Sequence, residues 1–376
     1  MNSLQQLVSI FGNVLQQQLF PALERELGPL SERMREFVRA LALVGLDGFV
    51  VVRRGRGRRG PDRSSIARAF LAKAILNLPH TRALLERLAQ DAVLRRLCGW
   101  NGAADVPDET VFSRAFAEFA RTEFPQRVQE AVVQNTRAQR LVGHILRDAT
   151  AIPAHEKPAA NQGAQPPVRR LHRKAGTGKS PEQMTRVERQ WLGEMSLAEM
   201  LAELPKACDK GCKPNAHGRK EIWVGYKLHL DVADGEIPIS YVLTSASVND
   251  MQVAIPLAKM SAQRVESCYE LMDTGFDCTA IREHGKQLHH VPIIPFQKRG
   301  SHKPELAPHE QIRYRERSAV ERVFSRLKDQ YGAMNVRVRG AVKVMAHLMF
   351  GILALTADQI LRWAGLREPD DCTAAA

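Results

Sequence analysis

The chain has 376 residues, which is enough for two domains and a sizeable hydrophobic core. Its 54 Lys and Arg residues outnumber the 41 Asp and Glu residues, giving a formal charge of +13. Six unevenly spaced cysteines exclude a disulfide-rich secreted scaffold and fit reduced thiols. Residues 1–19 are polar and amphipathic rather than a secretory signal, so we predict a cytoplasmic protein without a membrane span.

The first 140 residues are predicted to form a helical domain. Apolar residues recur at steps of three and four in residues 65–77, 81–91 and 109–120, and Asp108 is a suitable cap for the third helix. On that helix Arg114 is the most exposed candidate for contact with DNA. A plain helical bundle with surface arginines is the alternative.

Basic residues are concentrated in a Pro- and Gly-rich stretch that follows. Residues 157–181 contain no acidic side chain but include Arg169, Arg170, Arg173 and Lys174. Because this stretch is rich in Pro and Gly, we predict a basic loop insertion at about residues 153–219. Its clustered cations are the expected footprint of nucleic acid. A solubilising loop with no partner remains the alternative.

Two short apolar runs each lead into an aspartate, Asp148 in the first and Asp273 in the second. Buried strands deliver carboxylates in this way, although a single such residue is more often a turn or a helix cap. Between the runs, two alternating segments joined by Asp234-Gly235 predict an antiparallel hairpin. Helices are predicted at residues 249–264 and 279–287, with Asn249-Asp250 as the simplest cap of the first.

Tyr314, Arg317, Glu321 and Lys328 are separated by two, three and six residues. On one α-helix these four side chains would lie within an arc of about 60°, beside an apolar stripe. An ordinary surface helix with ion pairs is the alternative. Further on, residues 344–357 form an apolar run of 14 residues, too short for a membrane span, which predicts a buried helix under the core.

This spacing is the Tyr-Arg-Glu-Lys signature, and residues 142–331 resemble the DDE-type insertion-sequence transposases that carry it. The resemblance implies a ribonuclease H-like α/β core, with a mixed five-stranded sheet flanked by helices, behind an α-helical N-terminal domain. It assigns catalysis to Asp148, Asp273 and Glu321, which would hold two Mg²⁺ or Mn²⁺ ions. It assigns DNA contacts to Tyr314, Arg317 and Lys328.

The expected domains are residues 1–140, which would bind DNA, and residues 141–364, which would catalyse, followed by a tail at residues 365–376. The resemblance implies cleavage at terminal inverted repeats, joining of the 3′-hydroxyl ends to target DNA, and a dimer or larger complex on the nucleoid DNA. Two rivals remain open, a catalytically silent DNA-binding descendant and a stand-alone nuclease. Cys208, Cys212 and His217 have loosely metal-like spacing, but no fourth zinc ligand is evident.

Overall fold

The structure is a computed structural model that describes residues 14–50, 60–137, 141–159, 184–192, 195–214, 219–297 and 305–366. The helices in these ranges are α1 (Phe20–Leu27), α2 (Glu32–Val44), α3 (Arg63–Ile75), α4 (Thr81–Gln90), α5 (Ala92–Cys98), α6 (Glu109–Arg121), α7 (Phe124–Arg137), α8 (Arg186–Leu192), α9 (Leu197–Ala202), α10 (Met251–Ala262), α11 (Thr279–Gln287), α12 (Pro308–Tyr314), α13 (Ser318–Asp329) and α14 (Ala341–Trp363). The strands are β1 (Leu141–Pro153), β2 (Asp209–Pro214), β3 (Lys220–Ala233), β4 (Ile237–Ser245), β5 (Glu266–Met272) and β6 (Val291–Ile293).

The chain divides into two compact units, each described here by itself. A helical unit comprises Met1–Arg140, Ala233–Ile239 and Glu321–Ala376, and a sheet unit comprises Leu141–Val232 and Ser240–Val320. The predicted boundaries at residues 140/141 and 364/365 stay a prediction, and these units divide the chain differently. The difference arises because the last helices share a core with the first ones.

The core of the helical unit is a cluster of phenylalanines around α14. The ring of Phe350 lies 5.6 Å from that of Phe70 on α3, and Phe116 and Phe124 also surround it. The predicted cap of α6 is confirmed, since the Asp108 carboxylate accepts a hydrogen bond from the Val111 amide. Amphipathic helices thus bury one aromatic face against a common centre.

The helix α14 confirms the predicted buried helix. It extends beyond the apolar run of residues 344–357 to 23 residues, and by length and composition it is the helix, among the described residues, that could cross a membrane, yet 89% of its apolar window is buried. Its phenylalanine contacts lie in the helical unit. An apolar run predicts burial, but it does not name the partner that buries it.

The sheet unit is mixed α/β and contains a six-stranded sheet. Its order is β2-β3-β1-β5-β6, with β4 also paired to β3. β5 pairs in parallel with both β1 and β6, whereas β2 and β3 are antiparallel. The predicted hairpin is confirmed, because β3 and β4 pair and Gly235 adopts a positive φ of 78° at the turn between them.

β3 approaches β1 closely at a glycine. Gly225 has a φ of 151°, and a Cβ atom there would lie 2.2 Å from the Ile152 carbonyl oxygen. A larger residue would push the two strands apart, so glycine is required at this crossing.

Two further expectations are corrected in the insertion. The sheet has six strands rather than five, and the added strand is β2, within the predicted basic loop. The same segment also contains α8 and α9, whose Val187 and Met200 join a buried cluster with Ile255 of α10 and Ile281 of α11. We predicted a loop at residues 153–219 because its basic, Pro-rich part masked these short apolar patterns.

Candidate active site

The register of β1 and β5 brings two predicted carboxylates together. The last parallel pair in this ladder is Arg147 with Met272, so Asp148 and Asp273 are the next residues on the two strands. β5 ends at Met272, as predicted, but β1 continues to Pro153 and Asp148 lies within it. A shared sheet edge is where parallel strands deliver polar side chains for chemistry.

The Arg317 guanidinium lies against both carboxylates. Its Nη2 atom is 2.9 Å from Asp148 Oδ2 and 3.8 Å from Asp273 Oδ2. The other oxygen of each carboxylate accepts a backbone amide hydrogen bond, from Ala149 for Asp148 and from Gly275 for Asp273. Backbone amides therefore fix one oxygen of each carboxylate, and the second oxygens face a cation.

The electrostatics of this cluster are set by partial burial. The side chain of Asp148 is 17% exposed and that of Asp273 is 41% exposed. Burial raises the pKa of the Asp148 carboxyl to about 6; Arg317 opposes this, while the negative charges of Asp273 and Asp250 add to it. The site thus holds more negative charge than one arginine neutralises, which favours binding of further cations.

The segment that carries Arg317 is anchored on the same two strands. The guanidinium of Arg313 on α12 lies 4.0 Å from the ring centroid of Tyr269 on β5, and the Tyr269 ring stacks with His144 of β1. Tyr314, which is half-buried, ends α12, and a 3₁₀ turn at Arg315–Arg317 follows. α12 thereby sets the position of Arg317 above β1 and β5.

This turn corrects the prediction of a single helical stripe. Tyr314 and Arg317 precede α13, whereas Glu321 and Lys328 lie within it, and the 3₁₀ turn separates the pairs. A 3₁₀ turn advances by about 120° per residue rather than 100°, so the arc computed for one α-helix does not apply. The spacing of the four residues in the sequence did not predict this 3₁₀ turn.

A second charged cluster is completely buried next to the first. Arg147 donates two hydrogen bonds of 2.8 Å to Asp231 on β3 and also contacts Glu270 on β5, and all three side chains are at most 2% exposed. Ser261 and His290 hydrogen-bond to the two carboxylates. Because Arg147 joins β3, β1 and β5, it fixes the strand that presents Asp148.

The role predicted for Asp250 was wrong. We expected Asn249-Asp250 to cap α10; Asn249 does so by accepting the Met251 amide, but the Asp250 side chain does not cap the helix. Its carboxylate instead lies 2.9 Å from Lys227 Nζ and 3.7 Å from His229 Nδ1 on β3. Alternating Lys227 and His229 on a strand were the signal in the sequence that could have pointed to a charged partner.

The remaining predicted residues belong to the helical unit or fall outside the described residues. Glu321 is exposed and Lys328 is half-buried, both on the part of α13 that belongs to the helical unit, and Arg114 is exposed on α6. The predicted DNA contacts of the basic insertion fall outside the described residues, and they are Arg169, Arg170, Arg173 and Lys174. For these residues the assigned roles stay predictions.

The donor chemistry of the two aspartates fits a hard divalent cation. Each carboxylate directs one oxygen toward a position where positive charge, here the Arg317 guanidinium, is stabilised. Within the described ranges no group of three or more His, Cys, Asp or Glu side chains is arranged to hold a metal. Cys208 is buried and Cys212 exposed, both as free thiols, and His217 lies outside the described residues.

Comparison with known families gives two matches. The model described as "Transposase DDE domain" matches residues 143–357, more than half of the chain, and that described as "Transposase domain (DUF772)" matches residues 28–118. No curated protein matches the chain. The first match covers both aspartates, and the second covers helices α2 to α5 and most of α6. The chain belongs to the DDE transposase family of insertion sequences.

Proposed function

We propose that this transposase cleaves DNA at the terminal inverted repeats of its element and joins the freed 3′-hydroxyl ends to target DNA. The observation that carries the proposal is the juxtaposition of Asp148 and Asp273 just beyond the last parallel pair of β1 and β5. The strand order, with antiparallel β2 and β3 on one side of β1 and parallel β5 and β6 on the other, supports a ribonuclease H-like core.

Asp148, Asp273 and Glu321 are the residues we assign to metal binding. The two aspartates enter the proposal from geometry and burial, and Glu321 from its spacing to Arg317 and Lys328. Mg²⁺ or Mn²⁺, when bound as a pair, supplies activation of water or a 3′-hydroxyl and stabilisation of the leaving oxygen. The family generally uses divalent metals, and carboxylates are suitable ligands.

The chain's own residues have two further tasks in this proposal. The Ala149 and Gly275 amides hold the aspartates in fixed orientations, so little reorganisation is needed before reaction. Arg317 partly offsets the negative charge of the two aspartates in the free protein, and its fork-shaped guanidinium suits a DNA phosphate once cations replace it. Tyr314 and Lys328 are assigned to the DNA strand beside the scissile bond.

The test is cleavage of a plasmid carrying the gene with its flanking DNA, in Mg²⁺. Asp148→Asn, Asp273→Asn and Glu321→Gln should each abolish cleavage and still bind end DNA, because each removes a metal ligand without removing a cation. Glu266→Gln is the matched control, since Glu266 is exposed at the far end of β5 from Asp273. Cleavage by any of the three at close to the wild-type rate would overturn the assignment of that residue.

The same assay separates the rivals. A catalytically silent DNA-binding descendant would bind end DNA without metal-dependent cleavage. A stand-alone nuclease would cut but leave no joined product, whereas the proposed enzyme forms a joined product that depends on a free 3′-hydroxyl. A dimer or larger complex on nucleoid DNA is part of the proposal, because both element ends must be processed together.

A further inference from the structure

A cleft of about 400 Å³ is lined by residues of the helical unit alone, whereas the two aspartates belong to the sheet unit. Its walls come from α3, the start of α4, α6, the segment after α13, and α14. Phe70, Phe116 and Phe350 give it an apolar floor. A cleft of this size is within the range of sites that bind small ligands or parts of larger ones.

Lys73 of α3 lines this cleft and is 91% buried, since only 9% of its surface is exposed. Within the described part of the chain its ammonium makes no hydrogen bond or ion pair. Burial lowers the pKa of Lys73 to about 8. The Nζ atom itself is not fully enclosed, so the ammonium faces the cleft, whereas a side chain with only a packing role would be apolar here.

The other charged groups around the cleft add to this positive potential. Arg82 and Arg337 are cations on its wall, and Glu109 is the acidic group among the lining residues, where it already pairs with Arg82 at 3.4 Å. α4 begins at Thr81 in the same wall, so the positive end of its dipole also contributes.

The two histidines in the cleft are held by hydrogen bonds to the backbone. The His80 Nδ1 atom accepts the Ala83 amide hydrogen bond, and the His347 Nε2–H group donates to the Gly332 carbonyl oxygen. Burial and then the neighbouring charge of Lys73 lower the pKa of His347 to about 3, so this imidazole is neutral. Among the described residues no carboxylate pairs with Lys73, so an anion that enters the cleft would meet its ammonium directly.

We propose that this cleft is a phosphate-binding site, with Lys73 as its central ligand and Arg82 and Arg337 at its rim. Lysine binds phosphate as a point charge, and the apolar floor strengthens that attraction by excluding water. A backbone phosphate of DNA is the source that fits a chain of charge +13. Only this choice of source rests on the proposed function; the site itself is independent of Asp148 and Asp273.

The experiment compares the full chain with Lys73→Met, Arg337→Gln and a control, Lys343→Met. Lys343 is exposed on α14 and does not line the cleft. One arm measures binding of a 30-base-pair duplex by fluorescence anisotropy over a salt series, and a second measures the rise in melting temperature with sodium phosphate. Urea unfolding of each variant reports whether Lys73 has a structural role instead.

Lys73→Met should be at least as stable as the wild type, because it removes an unpaired buried charge. It should bind DNA about fivefold to tenfold more weakly and reduce the salt slope by about one unit, as Arg337→Gln should to a smaller extent, with Lys343→Met unchanged. Loss of the sodium phosphate effect alone would support the site and assign it to a free phosphorylated molecule.

The proposal is overturned if Lys73→Met folds and both arms match the wild type, whether or not its stability falls. If Lys73→Met does not fold, the other measurements decide. Unchanged DNA binding by Arg337→Gln, together with no stabilisation of the wild type by sodium phosphate, would then contradict the site.

Discussion

Two carboxylate clusters lie side by side in the sheet unit, and they differ in what surrounds them. Around Arg147, Asp231 and Glu270 are at most 2% exposed and are also bonded to Ser261 and His290. Around Arg317, the carboxylates of Asp148 and Asp273 are 17% and 41% exposed.

Successive residues of one strand serve these two clusters. Arg147 and Asp148 are neighbours on β1, and their side chains point to opposite faces of the sheet. A closed cluster stabilises the fold only while all its charges stay together, whereas an open one can exchange its arginine for other cations. The difference teaches that burial, rather than the presence of acidic residues, separates a structural charge cluster from one suited to chemistry.

The closed cluster gives the largest expected effect. Arg147→Met leaves two buried carboxylates without their cation and should lower the free energy of unfolding by about 3 to 5 kcal/mol, measured by urea denaturation. Adding Asp231→Leu and Glu270→Leu should recover much of this loss, since no buried charge then remains unpaired. If Arg147→Met alone is as stable as the wild type, Arg147 does not hold the sheet together.

Replacing a residue of the open cluster, formed by Arg317, Asp148 and Asp273, should raise the free energy of unfolding rather than lower it. Burial raises the pKa of Asp148 to about 6 from its ordinary 3.8, so its contribution to stability is present below pH 4 and is lost as the pH rises through 6. In metal-free buffer at pH 7.5, Asp148→Asn should therefore be more stable than the wild type by about 1 to 3 kcal/mol. The gap should close near pH 4, and a gap that does not vary with pH would contradict the burial argument.

Arg317→Gln should change the Mn²⁺ affinity and the cleavage rate in opposite directions. Removing the guanidinium takes away a cation that competes with divalent metal for the carboxylates, so Mn²⁺ affinity should rise. Cleavage should nevertheless slow by about tenfold or more, because the proposed contact of Arg317 with a DNA phosphate would be lost. Isothermal titration and a plasmid cleavage assay would test this, and a parallel fall in both would make Arg317 a structural residue.

The smallest expected effects concern cations outside the cluster. Lys328→Ala and Arg114→Ala should each reduce the salt slope of end-DNA binding by about one unit, and Arg114→Ala should leave the melting temperature nearly unchanged because Arg114 is exposed. Anisotropy measurements over a salt series would test both. Identical slopes in the wild type and both variants would remove these residues from the DNA interface.

Much of the fold follows from patterns in the sequence. The hairpin around Gly235 and the helices α3, α4, α6 and α11 were predicted because alternation, periodicity and caps are local signals. The nearness of Asp148 and Asp273 agrees with the expectation that two apolar strands each deliver a carboxylate to one site. The register that places them side by side is a property of tertiary pairing, which the sequence does not reveal.

Other features depend on partners distant in sequence. Asp250 was expected to cap a helix because a local role is the simplest one, yet it faces Lys227, 23 residues earlier. Lys73 lies within a helix that the sequence predicts well, but the cleft that it lines is completed by α14, more than 260 residues later. Such placements depend on tertiary packing. The periodicity of a sequence predicts which face of a helix is buried, but it does not identify the element that packs against that face.

The central claim is that the open cluster of Asp148 and Asp273 is a divalent-cation site. Its most direct test is titration of the full chain with Mn²⁺, followed by electron paramagnetic resonance, for the wild type, Asp148→Asn, Asp273→Asn and the control Glu266→Gln. The account predicts that the wild type and the control bind Mn²⁺ and that each aspartate variant binds it at least tenfold more weakly. Equal Mn²⁺ binding by all four proteins would contradict it.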